Sequence, residues 1–194
     1  MAPPLIGISV GRLDMDPVLE TNKLLEHDSS RESDEEYLVR LRSSLPHFPN
    51  EVLKDWLVRH GDFAFVYYGW LDYRQFRFSR EEWPTGKLLD LVTSGNERDV
   101  DYWTQELRKF PEVQQEGLGA FMISKGTWPS PPLILDNAHG LQRPSGQPLS
   151  RYHLLEGHHR LAFLRGIATN PRWQVAPSHE LWLVTYDATR PQED

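Results

Sequence analysis

The chain has 194 residues, 28 Asp+Glu against 21 Lys+Arg, a net charge of −7 and no cysteine. Zero cysteines exclude disulfides, thiolate zinc sites, iron–sulfur clusters and thiol nucleophiles, and fit a cytoplasmic protein. No run reaches the roughly 18 apolar residues of a membrane helix, and mild acidity argues against coating nucleic acid by bulk charge, so direct DNA binding is not indicated.

The opening MAPPLIGISVGRL reads as an extended segment and lacks the basic start and small-residue cleavage site of a signal peptide. A short amphipathic helix is expected from Pro17 to His27. The stretch HDSSRESDEE then has little to bury, so it reads as a solvated loop or disordered linker. Its last three acids suit the first turn of a helix through Tyr37, Leu38 and Leu41. From Asp14 to Glu36 there are nine acids and two bases, while the rest of the chain carries 19 of each, so the whole net charge belongs to this stretch. That acidic segment is a candidate surface for a basic protein partner, or a cover for a basic site in cis.

Asn50 is a candidate N-cap for a helix over Glu51–His60, closed by Gly61. The aromatic and Val-rich FAFVYYGWLDYRQFRF predicts one or two strands around Gly69, and most of its aromatics should be core. A turn near Pro84 leads to a short helix over Lys87–Leu91. The spacing of Val100, Trp103, Leu107 and Phe110 predicts a helix over Asp99–Phe110, interrupted by Pro111. Gly117 and Gly119 open a mixed segment. Leu133–Leu135 reads as a buried strand, NAHGLQRPSGQPLSR as a loop, YHLLE as a strand, GHHRLAFLRG as a helix of about two turns stopped by Gly166, and ELWLVTYD as a strand. The last third is thus an α/β or α+β unit.

The sharpest signal is Glu156-Gly157-His158-His159-Arg160, where a strand turns through glycine into a helix. Glycine permits close approach of a ligand to the backbone, and the first helical N–H groups favour an anion. Three potential cations in that first turn call for an offsetting negative charge. From Arg143 to Trp173 there are five arginines and one acid, Glu156, a local balance of +4. Together these features point to a phosphate or carboxylate site. A rival reading is a metal site, since His153-x-x-Glu156-x-His158-His159 contains ligand types, although it lacks the two His at i and i+4 on one helix that a zinc protease uses. The bland reading leaves the histidines on the surface and Arg160 paired with Glu156 or a distant acid.

The motif resembles the ParB/sulfiredoxin superfamily, in which a strand, a glycine turn and a helix hold nucleotide phosphates through G-E-R-R or G-C-H-R. Gly157 and Arg160 match both versions and His159 matches the second; the acid-G-H-H-R form is similar to the free serine kinases of the superfamily. The element order over residues 76–187 follows the same pattern. The resemblance implies an α+β, ParB/sulfiredoxin-like mixed sheet with flanking helices over 76–190, preceded by a largely helical extension over 1–75. It implies a nucleotide or other phosphorylated small molecule held by Gly157, His158, His159 and Arg160. Glu156 and His158 would be catalytic, and Mg²⁺ with ATP or another nucleotide would be held by Glu156 and Asp136, giving phosphotransferase or nucleotide hydrolase activity. Lys125 is a weaker phosphate contact. The lack of cysteine removes sulfiredoxin chemistry, the missing glutamate after Gly157 departs from the CTP-hydrolysing arrangement of ParB, and no helix-turn-helix follows the motif. The alternatives are a binding, regulatory or immunity-type protein that keeps the fold, and a nuclease using Glu156, His158 and His159.

Overall fold

The computed structural model describes residues 25–187 together with Val18 and Asn22. The extended opening segment and most of the helix expected over Pro17–His27 lie outside the described residues. A capping box opens the first described helix, α1 (Asp34–Ser44): Ser33 bonds the Glu36 amide and Glu36 reaches back to the Ser33 amide. The preceding HDSSRESDEE loop is tethered. Arg40 pairs with Glu32 and donates to the Glu26 carbonyl, while His27 lies flat on Tyr37 with ring centroids 4.5 Å apart.

The next helical stretch corrects the sequence reading. A turn over Asn50–Val52 (α2), a π-helical segment over Leu53–Val58 and α3 (Arg59–Tyr68) form a near-continuous helix. Gly61 does not end it. The backbone kinks at His60 (φ −133°) and continues, and the residues expected as a strand after Gly61 are helical as far as Tyr68. Gly61, Ala64, Phe65 and Tyr68 are buried while Phe63, Val66 and Tyr67 are exposed, a 3.6-residue period that overrides the β-propensity of the aromatics. The strand begins only at Phe76, after a 3₁₀ turn over Tyr73–Gln75.

From there the chain forms β1 (Phe76–Pro84), α4 (Thr85–Leu91), β2 (Val92–Ser94), α5 (Glu97–Lys109), α6 (Pro111–Gln115), α7 (Gly117–Lys125), β3 (Leu133–Asp136), β4 (Tyr152–Glu156), α8 (His158–Ala168) and β5 (Ser178–Tyr186). Pro111 sits at the start of α6, where its missing N–H costs nothing, and the segment opened by Gly117 is a helix. The fold is α+β: a five-stranded mixed sheet of order β1-β5-β3-β4-β2, with helices on both faces. Strand β5 is antiparallel to β1 and parallel to β3, β3 is antiparallel to β4, and β4 is parallel to β2.

Alternation along the strands divides the core in two. Leu133, Leu135, Leu155 and Val184 face the N-terminal helices and pack with Tyr37, Leu53, Trp56, Leu57 and Phe76. Ile134, Leu154, Leu181 and Leu183 face the other way and pack with Leu88, Val100, Leu107 and Met122 and with Leu161 to Ile167 of α8. Helix α8 runs three turns, past Gly166 to Ala168. That glycine marks a close crossing and not a stop: a Cβ there would lie 3.1 Å from Leu107 Cδ2 of α5. Nearby, Thr104 Oγ1 lies within hydrogen-bonding distance of the Val100 and Ala162 carbonyls, linking the two helices. Among the described residues no helix is long and apolar enough to cross a membrane.

Candidate functional site

Strand β4 ends at Glu156 and Gly157 turns the chain into α8. Gly157 has φ 104° and ψ 29°, a left-handed conformation that L side chains rarely adopt, and a Cβ there would lie 2.6 Å from the Pro132 Cβ. No side chain caps the N-terminus of α8, so its first N–H groups are left to a solvent molecule or ligand. They open into a cleft of about 940 Å³. Its lining includes the motif together with α3 and the π segment, which contribute Trp56, Arg59, His60, Phe63, Tyr67 and Tyr68. Gly95, Asn96 and Asp99 around the start of α5, Leu118 and Phe121 of α7, and Arg143 also line it.

Arg160 is spoken for. Its Nη1 donates to Glu156 Oε2 at 2.7 Å and its Nη2 to Oε1 at 3.2 Å, and Nη1 also reaches the Pro131 carbonyl at 3.3 Å. The two side chains are only 8% and 12% exposed, so this is a buried ion pair. Burial pushes the Glu156 carboxyl above its usual range, against the pull of Arg160. Desolvation holds His158 and His159 below the ordinary imidazole range, only partly countered by Asp99. The His159 ring also leans on Trp103, with centroids 4.2 Å apart. The first turn of α8 therefore presents neutral imidazoles and a compensated guanidinium at neutral pH, and not the three cations its sequence suggests.

The cationic run of the sequence is also dispersed. Arg151 pairs with Asp136, Arg165 with Glu97 and Arg160 with Glu156, while Arg172 is exposed. Of these arginines Arg143 and Arg160 line the cleft. The two carboxylates expected to share Mg²⁺ are not brought together: Glu156 lies opposite Leu133 and Asp136 opposite Tyr152, at opposite ends of the β3 and β4 pair. Among the described residues there is no group of three His, Asp or Glu arranged to hold a metal ion. Lys125 is exposed at the end of α7 and is not part of the cleft lining. The described part of the acidic segment does not line the cleft either.

Sequence reasoning missed the α3 wall. Phe63 and Tyr67 are one helical turn apart, with parallel rings 6.3 Å between centroids, and are 63% and 49% exposed. Their i, i+4 spacing was the available signal. Comparison with protein-family models, curated proteins and solved structures finds no match for this chain.

Proposed function

We propose that the cleft binds a nucleotide or another phosphorylated small molecule, and that the Glu156-Gly157-His158 turn serves phosphoryl transfer or nucleotide hydrolysis. One observation carries this reading: an uncapped helix N-terminus, opened by a left-handed glycine, shares a cleft of about 940 Å³ with exposed aromatic side chains of α3. Backbone N–H groups suit phosphate oxygens, and exposed aromatic rings suit a base or another flat group.

The N–H groups of α8 and the neutral imidazoles of His158 and His159 act as donors to the phosphate. Arg160 acts at one remove, fixing the Glu156 carboxylate. A buried carboxylate raised toward neutrality has the character of a general base. Mg²⁺ would be held in this reading by Glu156, once one of its oxygens is released from Arg160, together with the ligand's phosphates, and would supply charge neutralisation there. Asp136 has no part in it. The ParB/sulfiredoxin resemblance of the Glu156-Gly157-His158-His159-Arg160 turn supports the same reading. The alternative is a binding or regulatory protein without chemistry, favoured by the engagement of both Glu156 oxygens with Arg160.

Thermal shift with ATP, ADP, CTP, GTP and inorganic phosphate, with and without Mg²⁺, tests the proposal. A ligand at 100 times its Kd stabilises by about 2.7 kcal/mol. For a chain of this size that is roughly 5–10 °C, and His158→Ala should diminish it. No shift with any of these at millimolar concentration refutes the site. If a nucleotide binds, hydrolysis by Glu156→Gln at the wild-type rate removes that residue from the chemistry.

A further inference from the structure

Strand β1 lies at one edge of the sheet, and among the described residues only β5 pairs with it. Two bonds that continue its register at either end show which main-chain groups are left over. Thr85 N donates to the Pro177 carbonyl at 2.9 Å, and Asp187 N to the Gln75 carbonyl at 3.2 Å. The register between them is unbroken. Hydrogen-bonded pairs alternate along an antiparallel ladder, so the odd-numbered residues of β1 bond β5. The N–H and C=O groups of Phe78, Arg80 and Glu82 therefore point out of the open edge. Ser79, Arg80 and Glu82 are exposed.

Charges on an edge strand ordinarily deter a second strand. On β1 their sign reverses halfway: Arg77 and Arg80 precede Ser79 to Glu81 or lie within it, and Glu81 and Glu82 close the run. A parallel copy would meet like charge with like, whereas an antiparallel copy meets opposites. Two of these side chains are held in place without a counter-charge. Arg77 Nη1 donates to the carbonyls of Arg74 and Phe76 at 3.0 and 2.7 Å. Glu81 accepts from Ser79 Oγ at 3.2 Å and from Trp83 Nε1 at 2.7 Å. Among the described residues neither has an ion-pair partner, whereas Arg80 has Glu180 and Glu51.

Arg77, Ser79 and Glu81 share one face of the strand by alternation. A two-fold axis through Arg80 would oppose Arg80 to itself, and one through Glu81 would oppose Glu81 to itself. An axis through Ser79 sets each Arg77 opposite Glu81 of the second copy and the two small Ser79 side chains opposite each other. In that register Phe78 faces Arg80 of the second copy, and both have their main-chain groups turned outward, so these residues exchange hydrogen bonds in pairs. We infer that β1 pairs antiparallel with β1 of a second copy of this chain about an axis through Ser79, making one sheet continuous across a dimer. The contact is a strand edge and not a broad face, so the dimer is transient and weakened by salt. It is independent of what the cleft binds.

The chain has no cysteine, so Ser79→Cys places a single thiol on the axis. Under mild oxidation Ser79→Cys should form a covalent dimer, and Glu82→Cys, whose two copies lie about 20 Å apart in this register, should not. In sedimentation equilibrium the wild type should dimerise as its concentration is raised. Arg77→Glu and Glu81→Arg each set like charges opposite one another, so each alone should weaken association by roughly tenfold or more. An equimolar mixture of the two should associate as wild type does, because every cross-strand pair is again of opposite sign. Arg80→Pro removes an outward N–H and no bond to β5, and should be monomeric. The cysteine pair keeps the test decisive if a charge variant fails to fold. A wild type that is monomeric throughout, equal crosslinking of the two cysteine variants, a mixture no more associated than its folded components, or an Arg80→Pro chain that dimerises as wild type does overturns the pairing.

Discussion

Replacing Arg160 by alanine leaves the Glu156 carboxylate, 12% exposed, with no guanidinium to compensate it. Breaking a buried pair from one side costs about 3–5 kcal/mol. The charge part has a ceiling, because Glu156 can take up a proton. From an unfolded-state pKa near 4.3, protonation at pH 7 costs about 1.36 kcal/mol for each of roughly 2.7 pH units, close to 4 kcal/mol. At pH 5 the same ceiling is about 1 kcal/mol. A carboxyl whose folded-state pKa is raised contributes its stability below the unfolded pKa and loses it as pH rises through the folded value. Arg160→Ala should therefore be destabilised by about 4 kcal/mol at pH 7 and by only about 1–2 at pH 5, the remainder being lost packing and hydrogen bonds. Urea unfolding followed by the fluorescence of the seven tryptophans measures this. With a slope of about 2–3 kcal/mol/M, the midpoint should fall by about 1.3–2 M at pH 7. The double variant Glu156→Leu/Arg160→Met should lie within about 2 kcal/mol of wild type, since an apolar pair of similar volume replaces a costly buried one. A deficit under 1 kcal/mol for Arg160→Ala at pH 7, or an equal deficit at both pH values, would refute this account of the pair.

Gly157→Ala should cost about 2–3 kcal/mol, from a positive φ of 104° and a Cβ 2.6 Å from Pro132, and lower the melting temperature by roughly 5–10 °C; an unchanged melt would mean that the turn relaxes freely. Gly119→Ala places a Cβ into the backbone carbonyl of Val113 and 3.1 Å from Leu107 Cδ1, so α6 must separate from α7, and chemical denaturation should show a loss of more than 2 kcal/mol. His153, at about 4 in the fold against about 6.5 unfolded, contributes stability above pH 6.5 that is lost as pH falls toward 4. His153→Gln should remove roughly 3 kcal/mol of the difference in stability between pH 7 and pH 4. His47, His60, His158, His159 and His179 are depressed in the same direction, so a residual slope of the same sign should survive.

What could be read in the sequence was mostly local. The strands at Leu133 and Tyr152, the helix after Gly157 and the capping acids of α1 follow from apolar runs, turn residues and end preferences that act over a few positions. The α3 region failed because propensity and period disagreed. Phe, Val and Tyr favour strands, yet Gly61, Ala64, Phe65 and Tyr68 share one helical face, and packing against the sheet decided the outcome. Gly166 failed for a related reason: a glycine in a helix reads as a stop unless the crossing helix is known. At the site, the glycine turn was legible but the charge count was not. Arg151 and Arg165 are close to the motif in sequence and are paired away from it in space, whereas Arg59 and His60, about a hundred residues earlier, line the cleft.

The order of the sheet has a consequence for synthesis. Strand β5 is the last strand in chain order among the described residues, yet it lies second in the sheet, with β1 on one side and β3 on the other. Until residues 178–186 have left the ribosome, β1 has no neighbour in this sheet and β3 has only β4. Both would expose backbone edges to other nascent chains. The nine-residue pairing of β1 with β5 also closes a loop of about ninety residues, so it must form late and slowly compared with the helices around it. The chain must wait for residues 178–186 before β1 can join the sheet, and during that wait chaperone protection of the β1 segment has the most to contribute.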